Sequence, residues 1–394
     1  MSTSTGYDII ISGAGAAGLL LSLSLIEKGY KGSVLVLDQS LSPKNDKTWC
    51  FWSDELLFDG NLLKKHWSKL SVHQGGKDYF SETKNQFYQC LSSEKLQKHA
   101  LDILSEQSNF TLVEASVVST GQDPEKAWVE TDIGKFEANC IYQSIKPPAD
   151  FYEHSEYALK QHFLGWEIQS KKPIFKEDTV TLMDFDVPQK GGLSFMYELP
   201  FSENEGLVEF TLFTPDVLEI EIYEQEIIAY LKQKYNLTSD DFKILRIEFG
   251  VIPMVECVMP VSEGKRIFNI GTAGGVTKAS TGYTFKRSLH QANYIAEKLI
   301  SSNQLVSPDA NISRFRYYDL LILHIIANKP ELAEFILFNL FDKNGFDKVF
   351  RFLSEETSFS EELVIMASCP WTPFLAAVWQ TKNLVSRVTK PVNP

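Results

Sequence analysis

Positive charge is in short supply in this chain: 38 lysines and arginines stand against 51 aspartates and glutamates, a formal net charge of -13. A surface of that sign repels polyphosphate, which excludes nucleic acid as a partner. It also gives no overall attraction to an anionic membrane, so any lipid contact must be local and apolar. Cysteine is scarce as well. Cys50, Cys90, Cys140, Cys257 and Cys369 are scattered and form no C-x-x-C, which argues against a disulfide framework or a zinc site and fits a reducing cytosol. The seven histidines show no ligand spacing, so no metal is expected. No run of 18 apolar residues occurs and no basic stretch precedes the first apolar one, so the expectation is a soluble or peripheral protein without signal peptide or membrane-crossing helix. G-x-S-x-G, H-E-x-x-H and P-loop motifs are also missing, which removes the commonest hydrolase chemistries.

What is present begins at the N-terminus. Tyr7 to Ser12 reads as a buried strand, Gly13-Ala14-Gly15-Ala16-Ala17-Gly18 follows it, and Leu19 to Glu27 reads as an apolar helix. In such a strand, turn and helix, Gly13 makes the tight turn and Gly15 lets the backbone approach a pyrophosphate. Gly18 lets the helix lie close on the strand, with its positive end toward the diphosphate. A second buried strand, Ser33 to Leu37, ends in Asp38, placed to accept hydrogen bonds from ribose hydroxyls. This motif alone does not separate FAD from NAD. A distant segment favours FAD: a short strand after Arg266 runs into Gly271-Thr272-Ala273-Gly274-Gly275, and a helix is predicted from about Phe285 to Ile300. Nucleotide sites in two parts suit FAD proteins whose sheet is completed late in the chain. The other reading is a glycine loop of purely structural use.

At 394 residues the chain is long for one core. The predicted fold is α/β: a Rossmann-type FAD-binding domain over residues 1–150 and 261–310, an inserted, mostly antiparallel substrate sheet over 151–260, and a helical cap over 311–394. The insert is rich in β-branched and aromatic runs, with one helix at Glu219 to Tyr235. The cap carries apolar helices that either complete the core or contact lipid.

Two acidic positions stand out. Period-two alternation puts Leu207, Glu209 and Thr211 on one face of an otherwise apolar strand. Burial there would keep the Glu209 carboxyl protonated and able to act as a general acid; the alternative is a solvent-facing position. In TVTLMDFDV the same alternation predicts Asp184 and Asp186 on one face, as a second carboxylate pair or as a polar strand edge.

Several segments together resemble the lycopene cyclase family of FAD-binding proteins, and most closely its bacterial β-cyclase members. They are DIIISGAGAAGLLLSLSL, Asn45 to Trp52, Gln161 to Trp166, Leu182-Met183-Asp184, Leu207 to Thr211, Phe249 to Met254, and Thr272-Ala273-Gly274 with Ser280-Thr281-Gly282-Tyr283. The resemblance implies closure of the linear ψ-ends of lycopene into β-rings, giving γ-carotene and β-carotene, with no net redox change but with FAD in its reduced form. NADPH or NADH is then the electron source, and a hydrophobic carotenoid the substrate. It implies Glu209 as proton donor, Asp184 as a supporting carboxylate, and Gly13, Gly15, Gly18, Asp38, Gly271, Thr272, Ala273, Gly274 and Gly282 as cofactor-binding positions. Phe210, Tyr283 and the Trp49 to Trp52 cluster are aromatic candidates for stabilising a cation. So insoluble a substrate implies a cytoplasmic protein held peripherally on the inner face of the membrane.

Two positions depart from the family pattern: Asp186 stands where many relatives have Arg, and Lys278-Ala279 where many have Pro. The rival readings are a flavin-dependent monooxygenase or isoprenoid reductase, and a non-catalytic flavin or carotenoid binder.

Overall fold

The computed structural model describes residues 6–145, 155–302, 304–310 and 313–390. The expected domain boundary at 150/151 lies outside them, as do residues 311–312 at the start of the expected cap. In chain order the elements are β1 (Gly6–Ser12), α1 (Ala16–Glu27), β2 (Val34–Asp38), β3 (Thr48–Ser53), β4 (Lys65–Trp67), β5 (Lys69–Gln74), β6 (Lys77–Glu82), β7 (Phe87–Ser92), α2 (Ser93–Ser105) and β8 (Phe110–Glu114). There follow β9 (Val117–Gln122), β10 (Ala127–Thr131), β11 (Gly134–Gln143), β12 (Leu159–Ser170), β13 (Thr179–Asp184), β14 (Leu193–Pro200), β15 (Glu205–Thr214), α3 (Ile220–Tyr235), β16 (Phe242–Met254) and β17 (Ile267–Asn269). The chain then turns helical with α4 (Phe285–Ser302), α5 (Arg314–Asn328), α6 (Pro330–Asn344), α7 (Phe346–Leu353), α8 (Phe359–Ser368), α9 (Trp371–Gln380) and α10 (Val385–Thr389).

The first sheet has the order β8-β2-β1-β11-β10-β9, with β17 joined to β11. Its centre is parallel, and β9 and β10 are antiparallel. Ile9, Ile10 and Ile11 are all buried, because a central parallel strand is covered on both faces and needs a continuous apolar run. The late strand β17 pairs in parallel with β11, so the segment after residue 260 completes the sheet begun at residue 6. This is the predicted α/β nucleotide fold.

The second sheet has the order β16-β12-β15-β14-β13-β5-β6 and is antiparallel apart from the parallel β13/β5 pair. Two of its strands, β5 and β6, come from the first 150 residues. Alternation divides its side chains between two covers. On the outer face Leu164, Trp166, Met196, Val208, Phe210 and Leu212 pack against Tyr223, Ile227, Tyr230 and Leu231 of α3. On the inner face Leu159, Leu193, Phe195, Leu207 and Phe213 share one core with Trp52, Tyr88 and Cys90 of a small three-stranded sheet, β3-β7-β4, and with helices α5 to α7.

The C-terminal helices divide in the same way. Helices α5 to α7 complete this inner core, whereas α8 and α9, bent by 111° at their junction, leave Phe359, Leu363, Val364, Trp371, Leu375 and Trp379 exposed. Among the described residues no single helix is long and apolar enough to cross a membrane.

Candidate active site

The glycines of the two separated loops meet. A side chain at Gly18 would begin 1.9 Å from the Gly13 carbonyl oxygen, so helix α1 lies on the turn as closely as backbone permits. Gly271, with φ +61, sits where a Cβ would be 2.6 Å from Ala17 Cβ, which brings the loop after β17 against the first turn of α1. Gly274 is similarly packed, 2.3 Å from the Asn269 carbonyl, and Ala273 is buried beside it. Thr272 accepts a hydrogen bond from the Thr277 hydroxyl at 3.2 Å.

Several observations fit this cradle to a dinucleotide. Open space surrounds Gly15, and no side chain caps the N-terminus of α1, so its first N–H groups are available to an anion. Asp38, at the end of β2, reaches back and accepts from the Ala14 N–H at 2.6 Å, which places its carboxylate on the glycine loop. Among the described residues the Ser12, Gln161 and Thr281 side-chain oxygens are buried without a partner. The last two flank Gly282, where a Cβ would lie 2.3 Å from Gln161 Oε1. Gln161 is on β12, so the second loop rests on the inner face of the second sheet.

Glu209 belongs to that inner face. It is 7% exposed and accepts a hydrogen bond from the Thr211 hydroxyl at 2.9 Å on Oε1, with Oε2 lying over Gly165 of the neighbouring strand. Burial, followed by the negative charge of Glu248, pushes its carboxyl well above the ordinary carboxylate range. The alternation read from the sequence is therefore correct, with the protein interior on the Glu209 side.

Asp184 goes elsewhere. A register shift in β13 between Thr181 and Asp184 turns it to the outer face, where it accepts from the Tyr230 hydroxyl at 2.8 Å and pairs with Lys234 of α3 at 3.4 Å. Glu198 meets the same lysine at 2.8 Å and also accepts from Tyr235 and Thr181. The sheet thus lies between Asp184 and Glu209, and the supporting role expected of Asp184 has no direct route. Asp186 does not share a strand face with it: β13 ends at Asp184, and Asp186 accepts from the Gly75 and Gly76 N–H groups, capping the β5–β6 turn. Phe210 is corrected too, since neighbours along a strand point oppositely and it packs under α3.

Around Glu209 the structure gathers Tyr283 and Trp52, which sequence reading named, with Tyr88, Tyr197, Cys50, Cys90, Arg246 and Glu248, whose part in the site it missed. The Tyr88 hydroxyl bonds those of Tyr197 and Tyr283 at 2.7 and 2.8 Å. Tyr283 also meets the edge of Trp52 at 4.5 Å between ring centres, and Trp52 stacks on Phe350. Burial, with smaller contributions from the Cys50 thiol and the Glu209 carboxyl, holds the Tyr283 hydroxyl in its protonated form. Cys50 and Cys90 are free thiols facing each other across β3 and β7, and burial, then the Cys90 thiol, raises Cys50 well above the usual thiol range. On β16, Arg246 and Glu248 share the inner face. Their period-two spacing in LRIEFGVIPM was the signal that could have found them. The Lys278 departure is accommodated by a buried ion pair with Asp319 at 3.0 Å and a second with Glu355 at 3.4 Å. Among the described residues no cluster of His, Cys, Asp and Glu is arranged to hold a metal.

With this geometry in hand, the comparisons are specific. A family model described as "Lycopene cyclase protein" matches residues 8–378. The chain is 21% identical over 397 residues to the lycopene beta-cyclase of Pantoea ananas, a match covering 94% of this chain and 97% of that one. Among solved structures, a geranylgeranyl bacteriochlorophyll reductase-like protein of Thermoplasma acidophilum is similar with a TM-score of 0.61 at 12% identity, over 96% of this chain and 99% of that chain. Halogenase PltM in complex with FAD gives a TM-score of 0.59 at 13% identity, over 98% of this chain and 93% of that chain. At such identities the structural likenesses establish the fold, which is that of FAD-dependent flavoproteins.

Proposed function

The chain belongs to the lycopene cyclase family, and from that premise we propose that it closes the ψ-ends of lycopene into β-rings, through γ-carotene to β-carotene, without net redox change. One observation carries the reading: a buried carboxyl, Glu209, raised in pKa and lined by apolar and aromatic side chains, on the sheet face that meets the second glycine loop. Glu209 donates its proton to the terminal alkene of the substrate. The positive charge is attacked by the next double bond, one carbon–carbon bond closes the ring, and the neighbouring ring carbon gives its proton to the Glu209 carboxylate, which restores neutrality. Leu207, Phe213 and Trp52 keep this face of the sheet dry, and Tyr283 is the aromatic side chain suited to a passing cation.

Gly13, Gly15, Gly18 and Asp38, with Gly271, Thr272, Ala273, Gly274 and Gly282, are the proposed holders of FAD. Bound and reduced by NADPH or NADH, it would supply electron density that stabilises the cation. A carotene does not dissolve in water, and the exposed Trp371 and Trp379, 69% and 72% accessible, are the proposed contact with the cytoplasmic membrane surface.

Expression in a bacterium that accumulates lycopene tests the proposal. The expected result is a ring-closed pigment of unchanged mass. A gain of hydrogen would indicate a reductase and a gain of oxygen a monooxygenase, while unchanged lycopene beside flavin-loaded protein would indicate a binder.

A further inference from the structure

On the inner face of the second sheet, Glu209 of β15, Gly165 of β12 and Glu248 of β16 fall in one register row across three adjacent strands. The two glutamates are separated by two strand spacings, about 9.5 Å between backbones. The middle position carries no side chain, so β12 puts none between the carboxyl groups. A Cβ at residue 165 would lie 3.3 Å from Glu209 Oε2 and 3.0 Å from Leu207 Cδ1.

The two ends of the row are held differently. Glu248 accepts from the Thr48 hydroxyl at 2.6 Å and is salt-bridged to Arg246. Arg246 also donates to Thr48 at 2.6 Å and to Glu167 at 3.1 Å, and Glu167 is paired with Lys64. Lys64, Glu167, Arg246 and Glu248 thus form a chain of two cations and two anions that is already neutral. An ionised Glu209 would add an unmatched negative charge to this buried group, a costly arrangement in a medium that solvates ions poorly.

We infer that Glu248 is a positioning residue: its carboxylate, pinned by Arg246 and Thr48, is the fixed negative charge that acts with burial to hold Glu209 in its proton-bearing form above Gly165. The inference rests on the reading of Glu209 as the acid. Of the other groups facing Glu209, Cys50 of β3 acts in the same direction as Glu248, whereas Thr211 of β15 and Arg246 of β16 act against it. Tyr197 of β14 stands opposite Glu209 in the same row, and among the described residues the Tyr283 hydroxyl also senses its charge.

The test is the pH dependence of lycopene cyclisation by flavin-loaded protein. The wild-type rate falls as pH rises through the point where Glu209 loses its proton. In Glu248→Gln the repelling charge is gone and Arg246 is released toward Glu209, so this alkaline limb moves to lower pH by about one unit or more. Glu248→Asp, which keeps the charge, returns the limb toward its wild-type position. A Glu248→Gln enzyme with a lower kcat but an unmoved limb overturns the inference and leaves Glu248 a structural residue. Glu209→Gln in parallel separates the two failures: full activity in that variant removes the acid itself, whereas an inactive Glu209→Gln beside an unmoved Glu248→Gln limb removes only the role of Glu248. Should Glu248→Gln fail to fold, the infrared difference between wild type and Glu209→Gln reads the same state. A protonated-carboxyl stretch at neutral pH is expected, and its absence overturns the inference.

Discussion

Both faces of the second sheet bury carboxyl groups, and Glu209 is held unlike the rest: Asp184 and Glu198 on the outer face share a lysine, Glu167 and Glu248 on the inner face pair with Lys64 and Arg246, and among the described residues Glu209 has no such partner. On the outer face, under α3, Asp184 and Glu198 share Lys234 and accept hydroxyl hydrogen bonds from Tyr230, Tyr235 and Thr181. On the inner face Glu209 has, among the described residues, a single hydrogen bond from Thr211 and a like charge one strand beyond its neighbour. Carboxylates on the first face share one cation and three hydroxyl donors, and with them fix a helix to a sheet. The carboxyl on the second is left without a cation of its own, which favours the protonated form and makes it an acid. Burial alone does not distinguish structural from chemical carboxyls; their partners do.

The comparison breaks most visibly if the acid is removed. Glu209→Gln keeps the shape and loses the proton, and turnover is expected to fall by about 10²- to 10⁴-fold while flavin content and melting temperature hold. Removing the cation from the other face should do the reverse. Lys234→Met strands two buried carboxylates and is expected to cost about 3 kcal/mol of stability, read from the urea midpoint, with turnover per folded molecule little changed.

A third prediction concerns pH and also belongs to the outer face. His162 is buried between the Tyr223 and Thr214 hydroxyls, at 2.5 and 2.7 Å, and burial lowers its pKa from 6.5 to about 4. Between those values the unfolded chain takes up the proton before the folded one. Its contribution is therefore intact above pH 6.5 and is lost as pH falls toward 4, roughly 2 kcal/mol between pH 7 and pH 5. Glu209, whose pKa is raised in the folded state by burial, acts with the opposite sign, gaining stability as pH falls, and does so equally in wild type and variant. Denaturation of wild type and His162→Gln at both pH values should show the pH dependence flattened in the variant; equal slopes would contradict it.

The smallest effect sharpens the inner face. Gly165→Ala places a methyl 3.3 Å from Glu209 Oε2, and displacement of that oxygen is expected to lower kcat about tenfold with little change in melting temperature.

The sequence made part of this site readable because local rules governed it. The strand, glycine turn and helix from Tyr7 to Glu27 are one short stretch of chain, and so is the alternation that turns Glu209 away from Phe210. Asp184 misled because a register shift inside β13, invisible to a period-two count, moved it across the sheet. The Glu209-Gly165-Glu248 row was hidden for another reason. Its members lie on three strands, and their alignment depends on pairings set by the whole sheet. Cys50 and Cys90, scattered in sequence, become neighbours in the same way.

The central claim is that a proton leaves a buried carboxyl for a carbon of the substrate. In flavin-loaded protein equilibrated with heavy water Glu209 carries a deuteron, so a single turnover there reads its transfer by mass spectrometry of the product. One deuterium is expected in each ring closed by the wild type, and almost no product from Glu209→Gln. Rings formed without deuterium, or formed at the wild-type rate by Glu209→Gln, would contradict it.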